Sequence, residues 1–316
     1  MRANLPVAWI SHPVCSRHQI DEDHPESPQR LAAIEDRLLT SGLGDFVCRH
    51  EAPDATRDQL ERVHESSYID HVLRHRRIGD VRVVVDNDTA FNRYTVDAAL
   101  RAAGAGVLGV DLVMRGEAGL AFCAVRPPGH HAERARTMGF CFFNNVAVAA
   151  AHALSYGLEH VAIIDFDLHY GNGTADIFKN DPRVLLLSTY QHPLYPYWTG
   201  VPDAINLIDV PLSPYTHGEA FRAAVLNEWM PALERTRPEL ILVSAGFDAH
   251  AADPMGDLRL QYEDYRWLGS LIKDLGESSA QNRIVATLEG GYDLTALARS
   301  VEAFLTPFLG GEMMPL

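Results

Sequence analysis

The chain has 316 residues, of which 47% are hydrophobic and 22% are charged, and its formal net charge at pH 7 is −15. This acidic balance argues against a nucleic-acid-binding protein, which normally carries a basic patch or a basic domain. No segment approaches the ~20 consecutive apolar residues that a membrane-spanning helix needs. The sequence also shows no signal-peptide pattern of basic residues followed by an apolar stretch near residue 1. We therefore expect neither a nucleic-acid partner nor a membrane partner.

Apolar runs alternate with helical stretches along the chain. In chain order, strands are predicted at residues 121–125, 161–164, 184–188, 240–244 and 284–288. Helices are predicted to begin near residue 29 and to span residues 95–114, 144–155, 218–234, 262–275 and 294–309. Continuous apolar strands are covered by helices on both faces, and strand–helix alternation favours parallel pairing. Because no linker or repeat interrupts the pattern, the sequence predicts one α/β domain, residues 1–316, with a mostly parallel central sheet.

Three potential metal ligands follow two of these strands. Asp167 and His169 lie in IIDFDLHYGNGT, and Asp248 lies in ILVSAGFDAH. Because side chains alternate along a strand, Asp165, Asp167 and His169 are expected to point to the same face. Two carboxylates and one imidazole leave the fourth position of a zinc ion open for water, which is typical of catalytic sites. The sequence therefore predicts one catalytic Zn²⁺.

Two further motifs supply groups for catalysis. His130 and His131 follow a Pro-Pro-Gly turn in RPPGHHA, and Tyr292 follows paired glycines in LEGGYD. Each motif alone has a simpler explanation, since a histidine pair can fill a core, Gly-Gly-Tyr can be only a turn, and an Asp after a strand can cap a helix. Their joint occurrence after separate strands favours an active site, because parallel α/β sheets build sites at the carboxyl ends of strands.

With these motifs the chain resembles the superfamily of zinc-dependent histone deacetylases, histone-deacetylase-like amidohydrolases and acetylpolyamine amidohydrolases, and within it the class II members. The matching segments, in order, are HPESPQRL, RPPGHHA, GFCFFNN, DFDLHYGNGT, GFDAH with a following Asp-Pro, and LEGGYD. Ordered motifs over nearly the whole chain are far more specific than one short pattern. The resemblance implies the three-layer arginase/deacetylase fold.

The resemblance also implies roles for individual residues. The implied residues are Asp167, His169 and Asp248 as zinc ligands, His130 and His131 as the acid–base pair, and Tyr292 as the group that polarises the scissile carbonyl. Asp165 is expected to orient His130, and Asn172 to orient His131. Because a neutral amide stabilises a protonated imidazole less than a carboxylate does, His131 should be the harder of the two to protonate. A K⁺ ion is expected at Asp165, Asp167, His169 and Ser188.

A tunnel for the acylated side chain is implied as well. Its expected lining is Gly139, Phe140, Tyr195, Met255 and Gly290, with Tyr197 or Trp198 as alternatives to Tyr195. Acetylpolyamine-selective relatives carry a Glu where this chain has Met255, so the apolar side chain favours an acyl-lysine substrate. Asp88 is a candidate rim carboxylate that contacts the substrate backbone, although an Asp before Thr is also common in turns.

Three functions remain open at this point. The first is zinc-dependent hydrolysis of N-acyl (acetyl) lysine or a similar acylated primary amine, which releases acetate and a free amine. The second is an acetylpolyamine amidohydrolase, and the third is a non-catalytic acyl-amine-binding protein. One His and two Asp argue for a single zinc and against a pair of manganese ions.

Compartment and assembly rest on weaker signals. The four cysteines form no CxxC pair and suggest no disulfide framework, so a reducing cytoplasm is expected. The loop at residues 193–202 is open to two interpretations, a lid or a contact in a homo-oligomer.

Overall fold

The computed structural model describes residues 5–197, 200–201 and 204–310. Strands of almost wholly apolar sequence lie at the centre of the molecule. Within these ranges the strands are β1 (Val7–Ser11), β2 (Val47–Glu51), β3 (Val83–Val84), β4 (Ala90–Phe91), β5 (Leu120–Cys123), β6 (Val161–Asp165), β7 (Val184–Gln191), β8 (Leu207–Leu212), β9 (Leu240–Ala245) and β10 (Ile284–Leu288). Eight of them form one parallel sheet in the order β2-β1-β5-β10-β9-β6-β7-β8. Strands β3 and β4 pair separately and antiparallel.

Helices flank this sheet. In the same ranges they are α1 (Gln29–Ser41), α2 (Arg57–Leu60), α3 (Ser66–Arg74), α4 (Thr95–Met114), α5 (Asn145–Leu154), α6 (Asn172–Phe178), α7 (Gly218–Thr236), α8 (Tyr262–Ser278) and α9 (Leu294–Leu305). Among the described residues, no helix is both long and apolar enough to cross a membrane.

Helices α4 and α9 cover opposite faces of the sheet. A Cβ added at Gly109 of α4 would lie 3.1 Å from the Cβ of Ala121, so glycine lets α4 approach β5 closely. The next strand residue, Phe122, meets Phe304 of α9 with ring centroids 6.3 Å apart. Because successive strand residues point to opposite faces, these contacts place the two helices on the two sides. The predicted α/β fold with a parallel central sheet is confirmed.

The predicted elements are present, with shifted ends. Helix α4 has the predicted bounds, whereas α9 ends at Leu305 and continues as a 3₁₀ turn, Thr306–Phe308. Pro307 lies in that turn and has no N–H to donate to a further α-helical bond. The domain bounds of residues 1–316 stay a prediction, since both ends lie outside the described part of the chain.

Candidate active site

Three neighbouring strands place the loops that carry the potential metal ligands and Tyr292 at the same end of the sheet. Strands β10, β9 and β6 are adjacent and parallel, so the loops at their carboxyl ends lie side by side. Asp167 and His169 lie in the loop after β6. Asp248 follows β9, and Tyr292 follows β10. The sheet thus joins segments that are more than 120 residues apart in sequence.

The loop after β6 is not a continued strand, and the prediction that strand alternation aligns its side chains is wrong. Strand β6 ends at Asp165. Asp165 Oδ1 then accepts the N–H of Asp167 at 3.1 Å, and Asp167 Oδ1 accepts the N–H of His169 at 2.8 Å. Such bonds from a carboxylate to the backbone two residues on are typical of turns. Two successive turns, rather than a pleat, direct these side chains.

Asp167, His169 and Asp248 form a compact cluster of potential metal ligands. One ligand atom from each lies within 4.8 Å of the others, and all three residues are buried. His169 Nδ1 lies 3.1 Å from Asp167 Oδ1 and 3.2 Å from Asp248 Oδ2. Within the described ranges, this is the one group of three or more His, Cys, Asp or Glu residues with such geometry.

The environment of the cluster fits a cation. Asp248 Oδ2 is buried, and apart from its 3.2 Å contact with His169 Nδ1 it has no polar partner with hydrogen-bond geometry, which is costly for a carboxylate oxygen. Burial and the neighbouring Asp167 carboxylate raise the pKa of Asp248. The other carboxylate oxygens are held in place, because Gly290 N–H donates to Asp167 Oδ2 at 2.8 Å and Leu168 N–H donates to Asp248 Oδ1 at 2.9 Å. Two carboxylates and one imidazole are a donor set that suits zinc with an open position.

Two glycines let the backbone pass close to these carboxylates. A Cβ at Gly246 would collide with the Asp167 carboxylate, and a Cβ at Gly290 would collide with that of Asp248. The glycines in the GFDAH and LEGGYD segments are therefore needed for space at the cluster.

His130 and His131 lie beside the cluster, and each has its predicted partner. His130 Nδ1 lies 3.0 Å from Asp165 Oδ2, and His131 Nδ1 lies 2.8 Å from Asn172 Oδ1. The two imidazole centroids are 4.1 Å apart. Asp165 and Asn172 therefore orient the two imidazole rings through their Nδ1 atoms.

The two histidines differ in how readily they take a proton. Burial disfavours the charged His130 ring, but the Asp167 and Asp165 carboxylates raise the pKa of His130 well above its ordinary value. Burial, followed by the charges of His130 and His169, holds the pKa of His131 well below its ordinary value. The direction is the predicted one, although the main cause is burial and not the Asn172 amide.

Glu289, which the sequence reasoning did not single out, fixes the backbone of the histidine pair. Its Oε2 accepts the N–H of Gly129 at 2.7 Å and of His130 at 3.2 Å, and its Oε1 accepts the Ser244 hydroxyl at 3.2 Å. Burial raises the pKa of Glu289 to about 7. The signal was available, because this glutamate lies inside the LEGGYD segment at the end of an apolar strand.

Tyr292 lies near the cluster, and contacts with neighbouring residues fix both its backbone and its ring. Its N–H donates to Asp253 Oδ2 at 2.6 Å. The Arg30 guanidinium lies 5.0 Å from the ring centroid, and the Phe140 ring lies 6.0 Å away in an edge-on arrangement. Burial raises the pKa of Tyr292 well above its ordinary value. The phenol therefore stays protonated and can donate a hydrogen bond.

A narrow cavity of about 180 Å³ leads to these groups. Its lining comprises Asp88, Pro128, His130, His131, Gly139, Phe140, His169, Tyr195, Met255, Gly290 and Tyr292. All five residues expected in the tunnel are in this lining. Of the aromatic alternatives, Tyr195 lines the cavity, Tyr197 is 73% exposed, and Trp198 lies outside the described residues.

Two of the four predicted potassium ligands lie on neighbouring strands. Ser188 of β7 is in register with Asp165 of β6. The Ser188 hydroxyl is buried and has no hydrogen-bond partner, which suits an oxygen that faces a cation.

Comparison with known proteins gives the family. The model of the histone deacetylase domain matches residues 24–307. The chain belongs to the histone deacetylase domain family. As a member of this family it is 36% identical to the histone deacetylase-like amidohydrolase of Pseudomonas aeruginosa, over 91% of this chain and 76% of that protein.

Two further members of the histone deacetylase family extend the comparison. The chain is 36% identical to the polyamine deacetylase HDAC10 of Homo sapiens, over 99% of this chain and 49% of that protein. The crystal structure of the HDA15 HD domain superposes with a TM-score of 0.91 at 31% identity, and covers 97% of this chain and 90% of that one. The family match includes every residue that lines the cavity.

Proposed function

We propose that the protein is a zinc-dependent amidohydrolase that removes the acyl group from N-acyl-lysine or a similar acylated primary amine. The observation that carries the proposal is the buried Asp167–His169–Asp248 cluster, which lies beside a histidine pair and a phenol around one narrow cavity. Relatives named as a histone deacetylase-like amidohydrolase and as polyamine deacetylases support the reaction class.

Each chain would hold one zinc ion through Asp167, His169 and Asp248. When bound, zinc polarises the amide carbonyl and lowers the pKa of a coordinated water from about 15.7 toward about 7. His169 would bind through Nδ1, the nitrogen that faces both carboxylates. The backbone N–H groups of Leu168 and Gly290 keep the two carboxylates oriented.

His131 acts as the base and then as the acid in this proposal. Its low pKa leaves the imidazole neutral, and with Nδ1–H donating to Asn172 the lone pair is on Nε2. Nε2 accepts the proton of the attacking water and later gives it to the leaving amine. His130, held by Asp165, keeps a positive charge near the developing oxyanion.

Tyr292 donates its hydroxyl hydrogen to the oxyanion that forms at the carbonyl. The ring is fixed before the reaction by Arg30 and Phe140, so the donor is already in place. The products are acetate, or another short acid, and a free primary amine.

The cavity favours acyl-lysine over acylpolyamine. Phe140 and Tyr195 offer aromatic walls to an aliphatic chain, and Met255 contributes an apolar group to the lining. A cationic polyamine would gain nothing from Met255. Polyamines remain the second candidate because the Asp88 carboxylate also lines the cavity and two relatives are named polyamine deacetylases.

Comparison of kcat/KM for an acetyl-lysine peptide, acetylputrescine and acetylspermidine tests the substrate. We expect the peptide to be the best of the three. A higher kcat/KM for either polyamine would retain the reaction and reassign the substrate.

The proposal includes a structural K⁺ ion near Asp165 and Ser188. The unpartnered, buried Ser188 hydroxyl supports this position. Asp167 and His169 complete the set expected from the family resemblance. Loss of thermal stability on exchange of K⁺ for a larger organic cation, with zinc still bound, would support the site.

We propose a reducing, cytoplasmic setting for the enzyme. All four cysteines are free, and Cys15, Cys123 and Cys141 are buried, where they act as small apolar side chains. A homo-oligomer that involves the 193–202 loop also stays a proposal.

A further inference from the structure

The Asn172 amide lies between the catalytic histidine His131 and the partly buried Glu133. Its Oδ1 lies 2.8 Å from His131 Nδ1, and its Nδ2 donates to Glu133 Oε1 at 2.8 Å. The Met138 thioether is a second acceptor for Nδ2, at 3.2 Å. A carboxylate can only accept hydrogen bonds, so Glu133 binds only the NH₂ end of the amide. Both acceptors thus lie on the NH₂ side of the amide, and of the two the Glu133 carboxylate is the stronger.

We infer that Glu133 is a positioning residue that sets the tautomer of His131 through Asn172. With Oδ1 toward the ring, His131 must carry its proton on Nδ1, which leaves the Nε2 lone pair to act as the base. With the amide reversed, the NH₂ group would face Nδ1 and favour the tautomer with its proton on Nε2. Nε2 could then not accept the proton of the attacking water. The inference rests on the proposed role of His131.

The backbone holds the two linked residues together. The Glu133 carbonyl lies 3.1 Å from His64 Nδ1. A Cβ at Gly173, the residue after Asn172, would collide with the Ala132 carbonyl. The segment before Glu133 therefore packs directly on the start of α6, and the carboxylate reaches the amide without a long flexible path.

Replacement of Glu133 tests the role by kinetics. For Glu133→Ala we expect kcat on an acetyl-lysine peptide to fall about 10-fold or more, which is typical when an orienting partner is lost, while KM changes little. Glu133→Gln can still present an oxygen to Asn172 Nδ2 and should stay close to the wild type. Asp176→Ala is the matched control, since Asp176 accepts the N–H of the adjacent Arg134 at 3.2 Å and has no hydrogen bond to Asn172. It should leave kcat unchanged.

An exchange of the two groups provides a stricter test. Asn172→Asp alone would place two carboxylates in contact and should lower kcat strongly. Glu133→Gln added to Asn172→Asp restores an N–H donor between the positions and should recover activity. Failure of the double variant to exceed Asn172→Asp alone would overturn the inference, as would a Glu133→Gln variant as impaired as Glu133→Ala.

The tautomer itself can be read without any activity. In ¹⁵N-histidine-labelled protein, the His131 signals are identified by their loss in His131→Asn. The wild type and Glu133→Gln should show a protonated Nδ1 and an unprotonated Nε2, whereas Glu133→Ala should show a mixture. An unchanged His131 pattern in Glu133→Ala would overturn the inference. A wild type that hydrolyses no acylated amine would overturn the proposed function alone, because the tautomer measurement does not depend on turnover.

Discussion

His130 and His131 are neighbours in sequence, but the groups around them favour opposite charge states. His130 has carboxylates on two sides, with Asp165 Oδ2 3.0 Å from Nδ1 and Asp167 Oδ1 3.7 Å from Nε2. His131 is buried, has the neutral Asn172 amide behind it and lies beside the His130 ring, whose positive charge disfavours a second protonated imidazole. One ring is thereby suited to hold positive charge and the other to move a proton.

Tyr292 gives the most direct test of oxyanion stabilisation. Tyr292→Phe removes one hydroxyl and leaves the ring between Arg30 and Phe140. Since the loss of one preorganised donor costs on the order of 10²–10³ in rate, kcat should fall by about that factor while zinc content stays the same. Steady-state kinetics with metal analysis checks both, and Tyr215→Phe, at an exposed position, is the control. Unchanged turnover would remove Tyr292 from the mechanism.

Met255 is the residue through which substrate choice can be altered. Met255→Glu adds a carboxylate to the cavity lining, which should attract the second ammonium of a polyamine. We expect the ratio of kcat/KM for acetylspermidine over acetyl-lysine peptide to rise. Met255→Gln, which is similar in size and neutral, should not raise it. If both variants shift the ratio equally, shape and not charge sets the preference.

A buried ion network connects the elements that surround the site. Glu26, in the loop before α1, bonds to Arg126 after β5 and to Arg30 of α1, and all three side chains are fully buried. Arg30 also donates to the carbonyls of Glu289 and Gly291 in the loop after β10. The network therefore ties the start of α1 to the loop that carries Tyr292.

Loss of Glu26 should destabilise the whole fold. Glu26→Ala leaves two guanidinium groups buried without their carboxylate, and removal of one partner of a buried pair costs roughly 3–5 kcal/mol in unfolding free energy. Denaturant unfolding measures this change. Asp70→Ala, which breaks an exposed pair with Arg57, should have little effect. Equal effects of the two variants would contradict a structural role for the network.

The same network predicts how stability depends on pH. Burial opposes the charged form of Glu26, but Arg126, His18 and Arg30 hold the pKa of its carboxyl well below the ordinary value of 4.5. Because the folded-state pKa of Glu26 is lowered, its ionised carboxylate contributes fully to stability above the pKa that Glu26 has in the unfolded chain. This contribution is lost as the pH falls through the folded-state pKa. The unfolding free energies of the wild type and Glu26→Gln should therefore differ by a constant amount near neutral pH and converge in acid. A gap that widens in acid would contradict this assignment.

The sequence predicted central elements better than edge elements. Central strands such as β6 and β9 are continuous apolar runs, because both of their faces are covered. The unpredicted β2 and β8 lie at the edges of the sheet and carry polar residues or a proline, as in Arg49 and Pro211. β1 is a largely apolar run of five residues, as long as the predicted β6, so its sequence carried a signal that the prediction missed. The edge strands, in contrast, lack the continuous apolar pattern from which buried strands are predicted.

In the whole molecule, the order of the strands in the sheet brings the separate motifs together into one site. The sequence identified the motifs, but it could not show that β10, β9 and β6 are neighbours or that two turns direct Asp167 and His169. It also left the aromatic wall open among three residues and missed the contacts of Glu133 and Glu289. Those features depend on side-chain packing between segments that are distant in sequence.

We propose that one zinc ion, held by Asp167, His169 and Asp248, makes this chain an amidohydrolase. The most direct measurement is release of free amine from an acetyl-lysine peptide while metal-stripped protein is titrated with zinc. Turnover should be absent at the start and should reach its maximum at one zinc for each chain, and Asp248→Ala should not recover it. Full turnover by the stripped protein, or a maximum at two metal ions for each chain, would overturn the proposal of a single catalytic zinc.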